Sequence, residues 1–174
     1  MTRLLSAGIA KGTWERVAAT CAWSPRDSMG HVTYRERMWL IGGYIPQQLD
    51  AAGNKLPNRL NEVWSSADGV IWECATPNAP WKPRNLPATA VHDNAIYLVG
   101  GVSDGTHTSF DDVWRSDDGA NWTCLNEHVP WGKRSAAALV SFHGKLWYFG
   151  GMNVEDFSHS AEIWSSVDGR SWEC

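Results

Sequence analysis

The chain has 174 residues, of which 43% are hydrophobic and 20% charged, the balance of a folded globular protein. Its formal charge of −4 argues against a nucleic-acid groove, which shows as a basic stripe, and no apolar run approaches the roughly 18 residues of a membrane span. The opening ten residues hold one arginine and too short an apolar stretch for a secretory signal, so a cytoplasmic location is expected if Met1 is the true start.

In chain order, residues 1–17 read as a partial unit. Arg3-Leu4-Leu5-Ser6 fits a degenerate third strand, Ala7 to Gly12 a turn, and Trp14 the fourth strand of a sheet whose other strands are missing. The first complete unit spans 18–74. Its connecting loop carries Cys21, Trp23 and Arg26, and Gly30-His31-Val32-Thr33-Tyr34 predicts a short first strand that turns back at Arg35-Glu36. Met38-Trp39-Leu40-Ile41 predicts a second strand, apolar on both faces and therefore sandwiched between layers. Gly42-Gly43 follows, then Glu62-Val63-Trp64 on a third strand. Ser66-x-Asp68-Gly69-x-x-Trp72 is expected to turn into a fourth strand holding Trp72.

Residues 75–124 and 125–174 repeat this order. The loop Trp-x-x-Arg recurs as Trp81 with Arg84 and Trp131 with Arg134. The first strands are 88–92 and 138–142, and the hairpins Asp93-Asn94 and His143-Gly144 carry residues that such turns favour. The second strands end at Gly100-Gly101 and Gly150-Gly151. Asp112-Val113-Trp114 and Glu162-Ile163-Trp164 precede turns containing Asp118 and Asp168, closed by Trp122 and Trp172. From each arginine to the second glycine of its pair is 17 positions, and to the first it is 16, without exception. One insertion of 8 residues, after Gly43, is the only length change. All 12 tryptophans fall on four positions of the unit, and helical periodicity is absent.

Four antiparallel strands per unit of about 50 residues predict an all-β propeller of three blades plus the N-terminal partial blade. The run Pro83-Arg84, strand, Ala95-Ile96-Tyr97-Leu98-Val99-Gly100-Gly101, Asp112-Val113-Trp114, Trp122 resembles a kelch repeat. So do Pro25-Arg26 through Trp72 and Arg134 through Trp172, with Lys133 in place of the proline, so the resemblance covers about 13 to 174. The glycine pairs (Gly42, Gly43, Gly100, Gly101, Gly150, Gly151) fit positions of positive φ or close backbone approach. Trp64, Trp72, Trp114, Trp122, Trp164 and Trp172 are expected to fill the space between sheets. The Ser-x-Asp-Gly-x-x-Trp turns also resemble the Asp-box of sialidases, a hairpin turn remote from that family's catalytic centre, which gives Asp68, Asp118 and Asp168 a structural role.

Cys74, Cys124 and Cys174 share one repeat position, and equivalent positions of successive blades lie beyond the ~7 Å reach of a disulfide. They are expected to be small, buried or half-buried apolar residues. No spacing of Cys or His suggests zinc, and no metal or cofactor is expected.

Three blades fall short of the about four to eight that close a ring. Two readings stand: further blades of the same protein beyond Cys174, or identical chains that assemble. The first is preferred, because assembly would leave the N-terminal strands redundant.

Recognition is expected on the rim carrying the loops from second to third and from fourth to first strand. Tyr44, His107, Phe110, Phe157 and His159 are the candidate contacts there. Arg26, Arg84 and Arg134 admit two readings: an arc that grips an acidic peptide bidentately, as the resemblance to peptide-binding kelch domains implies, or pairing with the repeated acids Glu62, Asp112 and Glu162. A residue present in every repeat usually serves the repeat, which favours pairing. Kelch-like enzymes such as galactose oxidase and a sialic-acid mutarotase exist, but no catalytic grouping can be assigned here. The expected function is a non-catalytic module binding a protein or peptide. The alternative is part of a carbohydrate-binding or carbohydrate-active propeller, with a glycan as ligand.

Overall fold

The computed structural model describes residues 14–103 and 108–174, and its regular structure there is all β. The first sheet contains β1 (Gly30–Tyr34), β2 (Arg37–Tyr44), β3 (Arg59–Ser66) and β4 (Glu73–Thr76), paired antiparallel in that order. A two-residue strand, β5 (Arg84–Asn85), pairs with β3 at Leu60 and with β8 (Val102–Ser103), and so stitches the first sheet to the second. The second sheet runs β6 (Ala88–His92), β7 (Ala95–Val99), β9 (Val113–Ser116) and β10 (Thr123–Asn126). The third runs β11 (Ala138–Phe142), β12 (Lys145–Phe149) and β13 (Ile163–Ser166), with a bridge from Ser165 to Glu173 where a fourth strand would lie. The first strands adjoin, β1 against β6 and β6 against β11, which makes the sheets three blades of an unclosed propeller.

The hairpin residues all lie in the left-handed region, with φ of 48° and 56° at Arg35-Glu36, 43° and 53° at Asp93-Asn94, and 48° and 72° at His143-Gly144. This is the turn whose twist matches that of the flanking strands. The first hairpin adopts it without glycine or asparagine, and the Arg35 guanidinium lies 5.1 Å from the Tyr34 ring centre.

Apolar surface is buried between sheets. One cluster joins Trp39, Ile41 and Val63 of the first sheet to Ile96 and Leu98 of the second, with Trp81 and Trp122 between them. The other joins Tyr97, Val99 and Val113 to Leu146 and Tyr148 around Trp131. Each cluster contains an edge-to-face indole pair: Trp81 with Trp122 at 6.0 Å and 87°, and Trp131 with Trp172 at 4.9 Å and 84°, a favoured geometry for aromatic rings. All five residues of β7 are buried, as a strand sandwiched between layers should be.

Three expectations are corrected. The closing tryptophan is not in the fourth strand: Trp72 and Trp122 stand just before β4 and β10, because the indole N–H of each donates to the carbonyl of Gly69 or Gly119 at 3.2 Å and holds it in the turn. Cys74 and Cys174 are exposed rather than buried, with Cys21 and Cys124 half-buried and all four thiols free. The fourth strand is outermost, and its outward positions meet water. Trp14 is fully exposed, residues 14–17 form no strand, and the remainder of the expected partial blade lies outside the described residues.

Candidate functional site

The rim is assembled by the repeat itself. Where the loop from fourth to first strand passes the loop from second to third, Ala79 N donates to Asn61 O and Val129 N to Asp111 O, both at 2.9 Å. Arg84 closes this crossing. Its Nε donates to Lys82 O at 3.1 Å, Nη1 to Gly100 O at 2.8 Å, and Nη1 and Nη2 grip both oxygens of Asp112 at 2.6 and 2.7 Å. Arg26 repeats the pattern with Ser24 O, Gly42 O and Glu62, and Arg134 pairs with Glu162 at 3.1 Å. The hydrogen bond to the first glycine carbonyl accounts for the constant spacing of 16 in the first two units.

The arginines therefore do not form an open arc. Their side chains are 0%, 1% and 15% exposed, and a ligand carboxylate would have to displace a formed pair and strand its partner acid. Leaving a buried charge unpaired costs about 3–5 kcal/mol. The Arg84 guanidinium also lies over two aromatic rings, 5.7 Å from the centre of Trp81 and 4.1 Å from that of Phe110.

The Ser-x-Asp-Gly turns are equally self-contained. Ser66 Oγ accepts from the amides of Asp68 and Gly69, and Asp68 Oδ1 accepts from those of Val70 and Ile71, both at 2.8 Å. The same bonds recur around Asp118 and Asp168. At Asp118 partial burial pushes the carboxyl up, but hydrogen bonds from Asn121, Ala120 and Ser116 outweigh it and hold the group at about 2. Asp68 and Asp168 are held low chiefly by the backbone amides of Ile71 and Arg170.

Among the loop candidates, Tyr44 is half-buried with the Arg59 guanidinium 5.5 Å from its ring, and Phe110 is half-buried on Arg84. Phe157 is 71% exposed and His159 is exposed. His107 lies outside the described residues. These side chains belong to loops of three different blades: Phe110 lines one cavity and Tyr44 another.

Two features escaped sequence reasoning. The first is a cavity of about 410 Å³ beside the Arg84 pair, walled by Pro80, Phe110 and Trp114 and carrying Lys82, Asp111, Glu127 and His128. There His128 Nδ1 lies 2.9 Å from Asp111, whose hydrogen bond raises the imidazole above its usual range. The non-repeated residues of the loops from fourth to first strand were the available signal. The second is the insertion after Gly43, which is an ordered hairpin. Leu49 bridges Lys55, Asp50 Oδ1 caps the amides of Ala52 and Asn54 at 2.9 and 2.8 Å, and Ile45 N donates to Asn58 O at 2.8 Å. It holds Leu49 and Leu56 in solvent, at 60% and 40% exposure.

Among the described residues no three His, Cys, Asp or Glu side chains are grouped to hold a metal ion. No curated protein matches the chain. Residues 83–115 match the family model of the Kelch motif, a stretch that runs from the Arg84 crossing through β6, β7 and the glycine pair to Val113-Trp114. The same residues in the same arrangement recur in the sheets on either side of this motif, and the described residues form three blades of an all-β propeller that do not by themselves close a ring.

Proposed function

We propose that the chain is a non-catalytic interaction module that presents its unlike rim loops to a protein or peptide partner. Kelch propellers are commonly protein-interaction scaffolds. The observation that carries this reading is the division of labour on the rim. Repeated arginines, acids and tryptophans are committed to one another, whereas the hairpin bearing Leu49 and Leu56 and the loop bearing Phe157 and His159 hold apolar and amphipathic groups in water on a rigid support. Exposed apolar and aromatic side chains of this kind are the usual anchors of interfaces. The carbohydrate alternative drew on the Asp-box-like turns and the tryptophan content, and the turns, with Trp81, Trp122 and Trp131, are engaged inside the blades.

Selection of peptides from a random library on the immobilised chain tests this. Affinity for the selected peptides should fall tenfold or more in Leu49→Ser or Phe157→Ala, with an unchanged unfolding midpoint. Binding that ignores both substitutions, or binding confined to a glycan array, refutes it.

A further inference from the structure

The cavity beside the Arg84 crossing is lined by charged residues that the repeat does not require. Where it carries Lys82, Asp111, Glu127 and His128, the chain one repeat earlier holds Ser24, Asn61, Pro77 and Asn78, none of them charged.

The exchange of Asn61 for Asp111 is the informative one. Both residues make the backbone bond of the loop crossing, Asn61 O accepting from Ala79 N and Asp111 O from Val129 N, but Asn61 also closes it with its side chain, Nδ2 donating to Ala79 O at 2.9 Å. A carboxylate cannot donate, so Asp111 adds no such bond. Its side chain is 22% exposed, and its hydrogen-bond partner among the described residues is Nδ1 of His128, at 2.9 Å, on an imidazole that is 81% exposed. A largely desolvated carboxylate is thus held by a side chain standing in water.

The charges point the same way. Arg84 neutralises Asp112 and Lys82 offsets Glu127, which leaves Asp111 as the uncompensated charge of the cavity whenever His128 is neutral. Pro80, Phe110 and Trp114 supply apolar walls, and Trp114 is pinned there by its indole N–H, which donates to Asp112 at 2.7 Å. At about 410 Å³ the space falls within the about 300–1,000 Å³ of ligand pockets. An acid among apolar and aromatic walls suits a guest with a long aliphatic stem that ends in a cation.

We propose that this cavity receives a basic side chain of the protein or peptide partner, its stem along Phe110 and Trp114 and its cationic head on Asp111 in place of His128. Such a guest presupposes the interaction module proposed above and reverses the charge expected of its partner. The arginines that would have selected an acidic peptide are committed to their own acids.

The probe is N-acetyl-arginine amide, a cation without a carboxylate, titrated into the isotope-labelled 174-residue chain while the tryptophan indole signals are followed by NMR. A saturable shift of the Trp114 indole is expected, and N-acetyl-citrulline amide, the neutral isostere, should give none. Asp111→Asn places at this position the residue that the repeat already accommodates at Asn61, so it should keep the fold and weaken binding about tenfold or more. His128→Ala removes the competing imidazole and should bind at least as tightly as wild type. No saturable shift, an equal shift from the citrulline probe, unchanged affinity in Asp111→Asn or lost binding in His128→Ala each overturns the proposal. If the arginine probe fails while selected peptides still depend on Leu49 and Phe157, the interaction module stands and this site does not. Failure of the selected peptides as well removes the module itself.

Discussion

The junction between the second and third blades and the open face of the third blade are written in the same residue pattern but meet different surroundings. Tyr97, Val99 and Val113 are buried against Leu146, Tyr148 and Trp131, while Phe149 and Ile163 stand in water. The hairpins and the Ser-x-Asp-Gly turns, however, keep the same φ angles and hydrogen bonds in every blade. Local geometry in this fold is thus set within a blade, and burial is set by the neighbour. Stability in a repeat array is accordingly a sum of unit and interface terms, and equivalent substitutions should differ in cost by their interface term alone.

The largest difference is expected at the tryptophans. Trp39→Ala, which empties a 6%-exposed site between the first two blades, should cost about 3–5 kcal/mol by urea denaturation. Trp147→Ala should cost about 1 kcal/mol, because its ring has one uncovered face. Equal costs would mean that the open face is not open.

The arginine pairs give a second contrast. Arg84→Ala leaves Asp112 without its partner in a largely desolvated crossing and should destabilise by about 3–5 kcal/mol, whereas Arg134→Ala, whose partner Glu162 is 49% exposed, should cost about 1 kcal/mol or less. Thermal melts of the two variants side by side are sufficient to tell them apart.

The glycines separate strain from collision. Gly100→Ala combines a φ of +62° with a Cβ only 2.3 Å from Arg134 O, and about 2–4 kcal/mol is expected. Gly150→Ala meets a φ of +72° but no atom, so only the left-handed backbone term of about 1–2 kcal/mol remains.

The smallest effect should be indifferent to the junction. Asp118 is held at about 2, below its ordinary 3.8, so its ionised form favours the fold. That contribution is complete above about pH 4 and is lost as the pH falls toward 2. Asp118→Asn should lower the unfolding free energy by about 1 kcal/mol at pH 7 and converge with wild type near pH 2. Parallel pH profiles for the two proteins would remove Asp118 from this role.

Much of this architecture was legible before any coordinates. Strand alternation, the hairpin pairs and the glycine pairs are local, so 88–92, 95–99 and Gly100-Gly101 are found where pattern and φ demand them. The pairing of Arg84 with Asp112 was legible as well, since both recur at constant spacing. Cys74 was misjudged because its repeat position does not say which strand is outermost, and Trp14 because the register of the repeat continues past the last strand that can pair. The cavity at Lys82, Asp111 and His128 was invisible for another reason: it joins loops from successive units, and these three polar residues do not repeat.

The amino-acid sequence by itself determined the unit, its four-strand order and its self-satisfying turns, because these depend on period, chirality and hydrogen bonds between residues close in the chain. Only the tertiary structure decided which apolar faces are covered, which arginines are committed and which loop side chains remain in water. Those properties depend on what stands opposite a surface, and in a propeller that is always the next blade.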